Sequence, residues 1–205
     1  VTTNVEGRDL VGFVESTQKA VGSGVSLPSG YAIEYGGEFE NQIRATNNLL
    51  TVIPLVIAVI VLILFTIFGS LKLAALVMAN VPFAVMGGVY ALFITGEYIS
   101  VPASVGFIAL LGVAVLNGVV MVSHYESLKR QSLSLSERVA NGAVSRLRPI
   151  LMTATTAMFG LLPLAFASGP GAEIQKPLAI VVIGGLISST LITLYLLPIG
   201  FTTKL

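Results

Sequence analysis

The sequence predicts a mainly α membrane protein: a bundle of five transmembrane helices preceded by a small N-terminal α/β piece of βαβ form. Three observations predict it. Of 205 residues, 55% are hydrophobic and only 10% are charged, whereas soluble domains average about 25% charged residues. The charges are unevenly placed: residues 1–48 carry nine of them and residues 49–205 the other twelve, between long uncharged runs. Mean hydropathy is +0.92. The chain therefore divides into a short polar part, 1–48, and a membrane part, 49–205.

Residues 1–36 read as strand, helix, strand. Val1–Glu6 is rich in Val and Thr, and Gly7 ends it. From Asp9 to about Val21, the apolar residues Leu10, Phe13, Val14 and Val21 fall on one helical face. Leu27-Pro28-Ser29-Gly30 is turn chemistry, and Tyr31–Tyr35 alternates as a strand does. A unit this short cannot bury a core by itself. Together with an opening at Val1 rather than Met, this reads as part of something longer. Gly36-Gly37 closes the unit, and a helix from Glu38 leads into the first span.

A bilayer core about 30 Å thick takes about 20 apolar residues in a helix. Five runs qualify: Leu49–Phe68, Leu73–Thr95, Ile99–Ser123, Pro149–Ser168 and Pro177–Thr203, none containing Asp, Glu, Lys, Arg or His. They are continuous rather than alternating, which excludes barrel strands. A helix satisfies its own backbone in hydrocarbon. Lys72, Lys129, Arg130, Arg138, Arg146, Arg148 and Lys204 flank the spans on one side; on the other only Lys176 stands, beside Glu97 and Glu173. The positive-inside rule makes the first side cytoplasmic and sets the N-terminal piece on the far side. Between the third and fourth spans, Ser134-Leu135-Ser136-Glu137 fits a capping box. The helix it opens, roughly Leu135–Leu147, is read as lying along the membrane surface or as a solvated connector.

Net charge is +1 and there are no cysteines. The first gives no electrostatic case for nucleic acid; the second excludes disulfides, thiolate metal sites and cysteine nucleophiles. No zincin, P-loop or nucleophile-elbow motif occurs. His124 is a single imidazole at a membrane edge, and Met78, Met86, Met121, Met152 and Met158 are scattered, so no metal or cofactor site is expected. The chemistry inside the spans is then neutral and polar: Asn80, Asn117, Thr153, Thr155, Thr156, Ser188, Ser189, Thr190 and Thr193. A buried amide must find a partner, so Asn117 is expected to face other helices, beside the small-residue step Ala114–Gly118. Arg146 and Thr153 are seven residues apart, about 20° from one face if the helix is continuous; a helix starting afresh at Pro149 would break that alignment.

Several motifs together resemble the C-terminal part of the resistance–nodulation–division (RND) efflux pumps. They are Gly37-Glu38-Phe39-Glu40-Asn41-Gln42, the run from Ser100 to Gly112 leading to Asn117-Gly118, Arg146-Leu147-Arg148-Pro149-Ile150-Leu151-Met152-Thr153, and Gly184-Gly185 followed by Leu186-Ile187-Ser188-Ser189-Thr190. The run Ser100-Val101-Pro102-Ala103-Ser104-Val105-Gly106-Phe107 and the wording Asn117-Gly118-Val119-Val120 look most like the heavy-metal-efflux branch, cobalt–zinc–cadmium type. Multidrug members usually carry Lys, and copper–silver members Glu, where this chain has Leu116. The resemblance implies a proton-driven antiporter, not an enzyme, that exports heavy-metal cations from the bacterial inner membrane. It implies a homotrimer working with a periplasmic adaptor and an outer-membrane channel. The five spans would be the eighth to twelfth of twelve, and residues 1–36 the end of the periplasmic porter region. The acidic proton carriers would lie on a helix outside this chain. Asn117, Arg146 and Thr153 match positions lining the proton-relay region. A multidrug pump with organic substrates and a non-transporting membrane scaffold are the alternatives.

Overall fold

The computed structural model describes residues 10–25, 28, 30, 33, 35–129, 135–169 and 171–202. They form seven helices: α1 (Leu10–Gly24), α2 (Glu38–Phe68), α3 (Leu71–Met78), α4 (Asn80–Thr95), α5 (Val101–Lys129), α6 (Leu135–Ala165) and α7 (Ala172–Thr202). The chain divides into two compact units, Val1–Thr51 and Val52–Leu205.

In the first unit, α1 occupies the expected stretch. Its Ser16 and Thr17 hydroxyls donate back to the carbonyls of Gly12 (2.6 Å) and Phe13 (2.9 Å). In the first turns of α2, Arg44 pairs with Glu40 one turn earlier. The expected βαβ form is not found: no strand occurs among the described residues. Val1–Glu6 lies outside them, as do three residues of the second expected strand, and Ile33 and Tyr35 are not in strand pairing. Alternating side chains supply only one face of a strand; its backbone groups need a neighbouring strand to bond to.

Among the described residues, five helices are long and apolar enough to cross a membrane: Ile43–Phe68, Leu71–Thr95, Val101–Leu128, Asn141–Ala165 and Ala172–Tyr195. Gly69, at φ 61°, ends α2 with its N–H on the Phe65 carbonyl. Gly96, at φ 71°, ends α4, and the next N–H, that of Glu97, reaches back to the Leu92 carbonyl, a Schellman closure that only a residue tolerant of the left-handed region makes cheaply. Ser100 caps α5, its hydroxyl accepting from the Ala103 N–H at 3.4 Å. Glu97 and Lys176, 2.7 Å apart, tie the loop after α4 to the first turns of α7.

Two spans differ from the sequence reading, both at prolines. The second has a one-residue gap in its hydrogen-bond pattern, α3 stopping at Met78 and α4 starting at Asn80, while Ala79 between them keeps helical backbone at φ −60°, ψ −20°. Pro82 lies in the first turn of α4, where a missing N–H costs nothing, and it deprives the Met78 carbonyl of its donor. The fourth is unbroken: α6 runs through Pro149 and Pro163 from Leu135 onward. The helix of Leu135–Leu147 is therefore the first part of a spanning helix rather than a separate one along the membrane surface. Ser134, its expected cap, lies outside the described residues. One lost hydrogen bond at Pro149 is borne because both sides stay packed, with Gly142 against Tyr125 and Ile150 2% exposed.

α7 lies at the centre and packs against α3, α4, α5 and α6. One apolar cluster joins Leu64 of α2 to Val77 of α3, Met121, Val122 and Tyr125 of α5 and Ile150 of α6. A second joins Ala84 and Leu92 of α4, Leu110 and Ala114 of α5 and Val181 and Leu186 of α7. Large apolar residues such as Leu62, Phe93 and Phe159 face outward. The closest approach is between α4 and α7: a Cβ on Gly87 would stand 2.6 Å from the Gly184 carbonyl oxygen, and one on Gly184 would stand 2.7 Å from that of Gly87.

Gly184→Leu in the full-length protein is expected to separate α4 from α7 and to cost at least the about 1–3 kcal/mol of an overpacked core. Gly112→Ala, where an added Cβ meets nothing within 4 Å, is expected to be neutral or to stabilise by about 0.5–1 kcal/mol. Thermal unfolding of the detergent-purified variants checks both.

Candidate functional site

α5 and α6 run antiparallel, and their charged ends meet. Gly142 makes room for the Tyr125 ring, which a Cβ there would strike. That contact brings His124 to Ser145 and Arg146. His124 Nε2 lies 2.7 Å from Ser145 Oγ, and Arg146 Nη2 lies 3.5 Å from His124 Nδ1. A guanidinium only donates. In this arrangement Nδ1 is therefore the acceptor, and Nε2 carries the proton and donates it to Ser145 Oγ. That hydroxyl donates in turn to the Gly142 carbonyl at 3.2 Å. Arg146 is half-buried, and its buried Nε has no partner.

Continuity of α6 keeps Arg146 and Thr153 near one face, two turns and about 10 Å apart. Asn117 is likewise seven residues before His124 on α5. Because the helices are antiparallel, Asn117 and Thr153 stand at about the same depth. They are not alike in setting. Asn117 is 7% exposed and its Nδ2 is buried without a partner. Next to it, a Cβ on Gly118 would come within 2.8 Å of Val77 Cγ1, so α3 lies close against α5 there. Leu116 points outward, 60% exposed. Thr153 is exposed, and its hydroxyl turns back to the carbonyls of Pro149 (3.1 Å) and Ile150 (2.9 Å). Asn117 thus faces helices, as expected, while Thr153 and Arg146 are aligned but do not touch.

A second polar group sits in the α4–α5–α7 core. Asn80 is fully buried; its Nδ2 donates to Thr193 Oγ1 and to the Ala114 carbonyl. Ser189, Thr190 and Thr193 are buried beside it on α7, and Ser188 Oγ donates to the Phe83 carbonyl at 2.8 Å. The sequence offered these residues as neutral polar groups within spans, but it gave no sign that His124, set aside as isolated, partners Ser145 and Arg146. The link crosses 21 and 22 residues and exists only once α5 and α6 pack. Among the described residues no three His, Asp or Glu side chains are placed to hold a metal ion.

The family described as AcrB/AcrD/AcrF matches residues 1–203. The chain is 48% identical over 199 residues to the cobalt-zinc-cadmium resistance protein CzcA of Cupriavidus metallidurans, covering 97% of this chain and 19% of that protein. It is 48% identical over 198 residues to the nickel-cobalt-cadmium resistance protein NccA of Alcaligenes xylosoxydans xylosoxydans, covering 97% and 18%. A crystal structure of a heavy metal efflux pump matches with a TM-score of 0.80 at 45% identity, over 95% of this chain and 20% of that one. The chain thus spans about a fifth of the length of the relatives it matches.

His124→Leu in the full-length protein removes both contacts to α6 and is expected to cost about 1–2 kcal/mol, while Ser145→Ala costs about 0.5–1 kcal/mol. Equal melting temperatures for the two variants and the parent would contradict the arrangement.

Proposed function

The chain belongs to the AcrB/AcrD/AcrF family, and on that premise we propose that it is the membrane-embedded C-terminal fifth of a proton-driven pump exporting heavy-metal cations. The observation that carries this reading is the near-half identity, over almost the whole chain, to proteins named for resistance to cobalt, zinc, cadmium and nickel. The metal ion is cargo, handled outside this segment. The five charge-free runs read from the sequence hold no carboxylate, so the hydrocarbon-crossing part of this chain supplies no proton carrier of its own. Their part is to pack against the carriers and to bias them.

Asn117, Arg146 and Thr153 carry that role in this reading. Arg146 is a half-buried cation at the α5–α6 contact, and a positive charge lowers the proton affinity of an acid beside it. The buried Nε of Arg146 is the donor best suited to a carboxylate from the rest of the protein. The buried Asn117 Nδ2 is a second. Thr153, at the depth of Asn117, can release its backbone carbonyls to offer a hydroxyl. Residues 1–36 complete an α/β porter region with chain from elsewhere in the protein. The whole acts as a homotrimer with a periplasmic adaptor and an outer-membrane channel. Seven Lys and Arg residues against one place the α5–α6 connection and the C-terminus in the cytoplasm and the N-terminal segment in the periplasm.

Deleting the gene is expected to lower tolerance to zinc, cobalt, cadmium or nickel, and restoring it to recover that tolerance; unchanged tolerance to all four would refute the metal assignment. Arg146→Ala is expected to slow uncoupler-sensitive metal transport into proteoliposomes by on the order of tenfold, about 1.4 kcal/mol in the barrier, with less change from Thr153→Ala. Reporter fusions after Lys129 are expected to be active only as cytoplasmic reporters.

A further inference from the structure

We propose that one ordered water molecule bridges Asn80 Oδ1 and Thr190 Oγ1 where the second span packs on α7. Three features support it. First, the two residues stand on facing helices beside an existing bond: Asn80 Nδ2 donates to Thr193 Oγ1, one turn along α7 from Thr190.

Second, Asn80 has no exposed surface. Its amide nitrogen is engaged by Thr193 Oγ1 and the Ala114 carbonyl, yet its Oδ1 is buried and has no partner. Third, Thr190, one turn before Thr193 on the same face of α7, is 4% exposed, and its hydroxyl is also without a partner. A threonine in a helix ordinarily bonds its own preceding turn, as Thr153 and Thr155 do here. Thr190 does not.

The chemistry of these groups selects the occupant. Asn80 Oδ1 is an acceptor, and the Thr190 hydroxyl can donate. The ligand must therefore donate to the first, accept from the second and be small enough for a closed helix contact. None of the five charge-free runs read from the sequence contains Asp, Glu, Lys, Arg or His to balance a cation. Water meets each condition and would make at least two hydrogen bonds, within the range usual for a buried one. The site is independent of what the pump exports.

Two measurements on the full-length protein test it. A structure at a resolution that resolves ordered water is expected to show a peak within hydrogen-bond distance of Asn80 Oδ1 and Thr190 Oγ1. Thr190→Val is expected to lower the melting temperature, because it strips a bonded water of one partner. If the hydroxyl is dry and unpartnered, the same change is neutral or stabilising, and the proposal fails. It fails equally if the density shows a side chain from elsewhere in the protein, or nothing, at that place. Should the variant not fold, the density of the parent protein decides alone.

Discussion

The close crossing of α4 and α7 is the contact on which the rest of the second unit depends. In lipid, helices gain little from burying apolar surface against one another, so association rests on van der Waals fit and hydrogen bonds. Gly87 and Gly184 let the two backbones approach until each occupies the space of the other's missing side chain. Gly185 does the same for Leu110, whose buried side chain fills the place of a Cβ. At that separation Ser188 reaches the Phe83 carbonyl and Thr193 meets Asn80. With helices held apart by ordinary side chains, both bonds would be lost and Asn80 would be left in an apolar core, at a cost of several kcal/mol.

The distribution of polarity follows from the same constraint. Asn80, Ser189 and Thr193 are fully buried, while Phe93, Ile94 and Phe159 are largely exposed. In water that arrangement would be strongly unfavourable; in a bilayer it keeps apolar side chains toward lipid and polar ones toward other helices. It also divides the polar residues into two sets: the α4–α5–α7 cluster is buried within the bundle, whereas Arg146 and the α6 hydroxyls lie where neighbouring parts of a larger protein can reach them.

Much of this was legible in the sequence because it is one-dimensional. A charge-free run of twenty or more residues needs no tertiary information to be read as a span, and all five were found. The buried setting of Asn117 followed from the cost of an amide in hydrocarbon. The prolines were harder. Pro82 and Pro149 have the same chemistry, yet the first follows a one-residue gap in the helical hydrogen bonding at Ala79 and the second is carried within an uninterrupted helix, because packing on both sides of Pro149 holds it. His124 was unreadable for a similar reason: its partners are brought to it by Gly142 yielding to Tyr125, a contact that no spacing rule encodes. The expected strands depended on hydrogen-bonding partners that alternation alone cannot provide.

α6 has a mechanical consequence. Its 31 residues extend over about 46 Å, against about 30 Å of hydrocarbon, so roughly a third of it projects beyond the lipid. A hydrogen-bonded rod of this kind is stiff along its axis. Its projecting end, with Glu137 in the first turn, and its embedded end near Phe159 cannot shift independently except by flexing at Pro149.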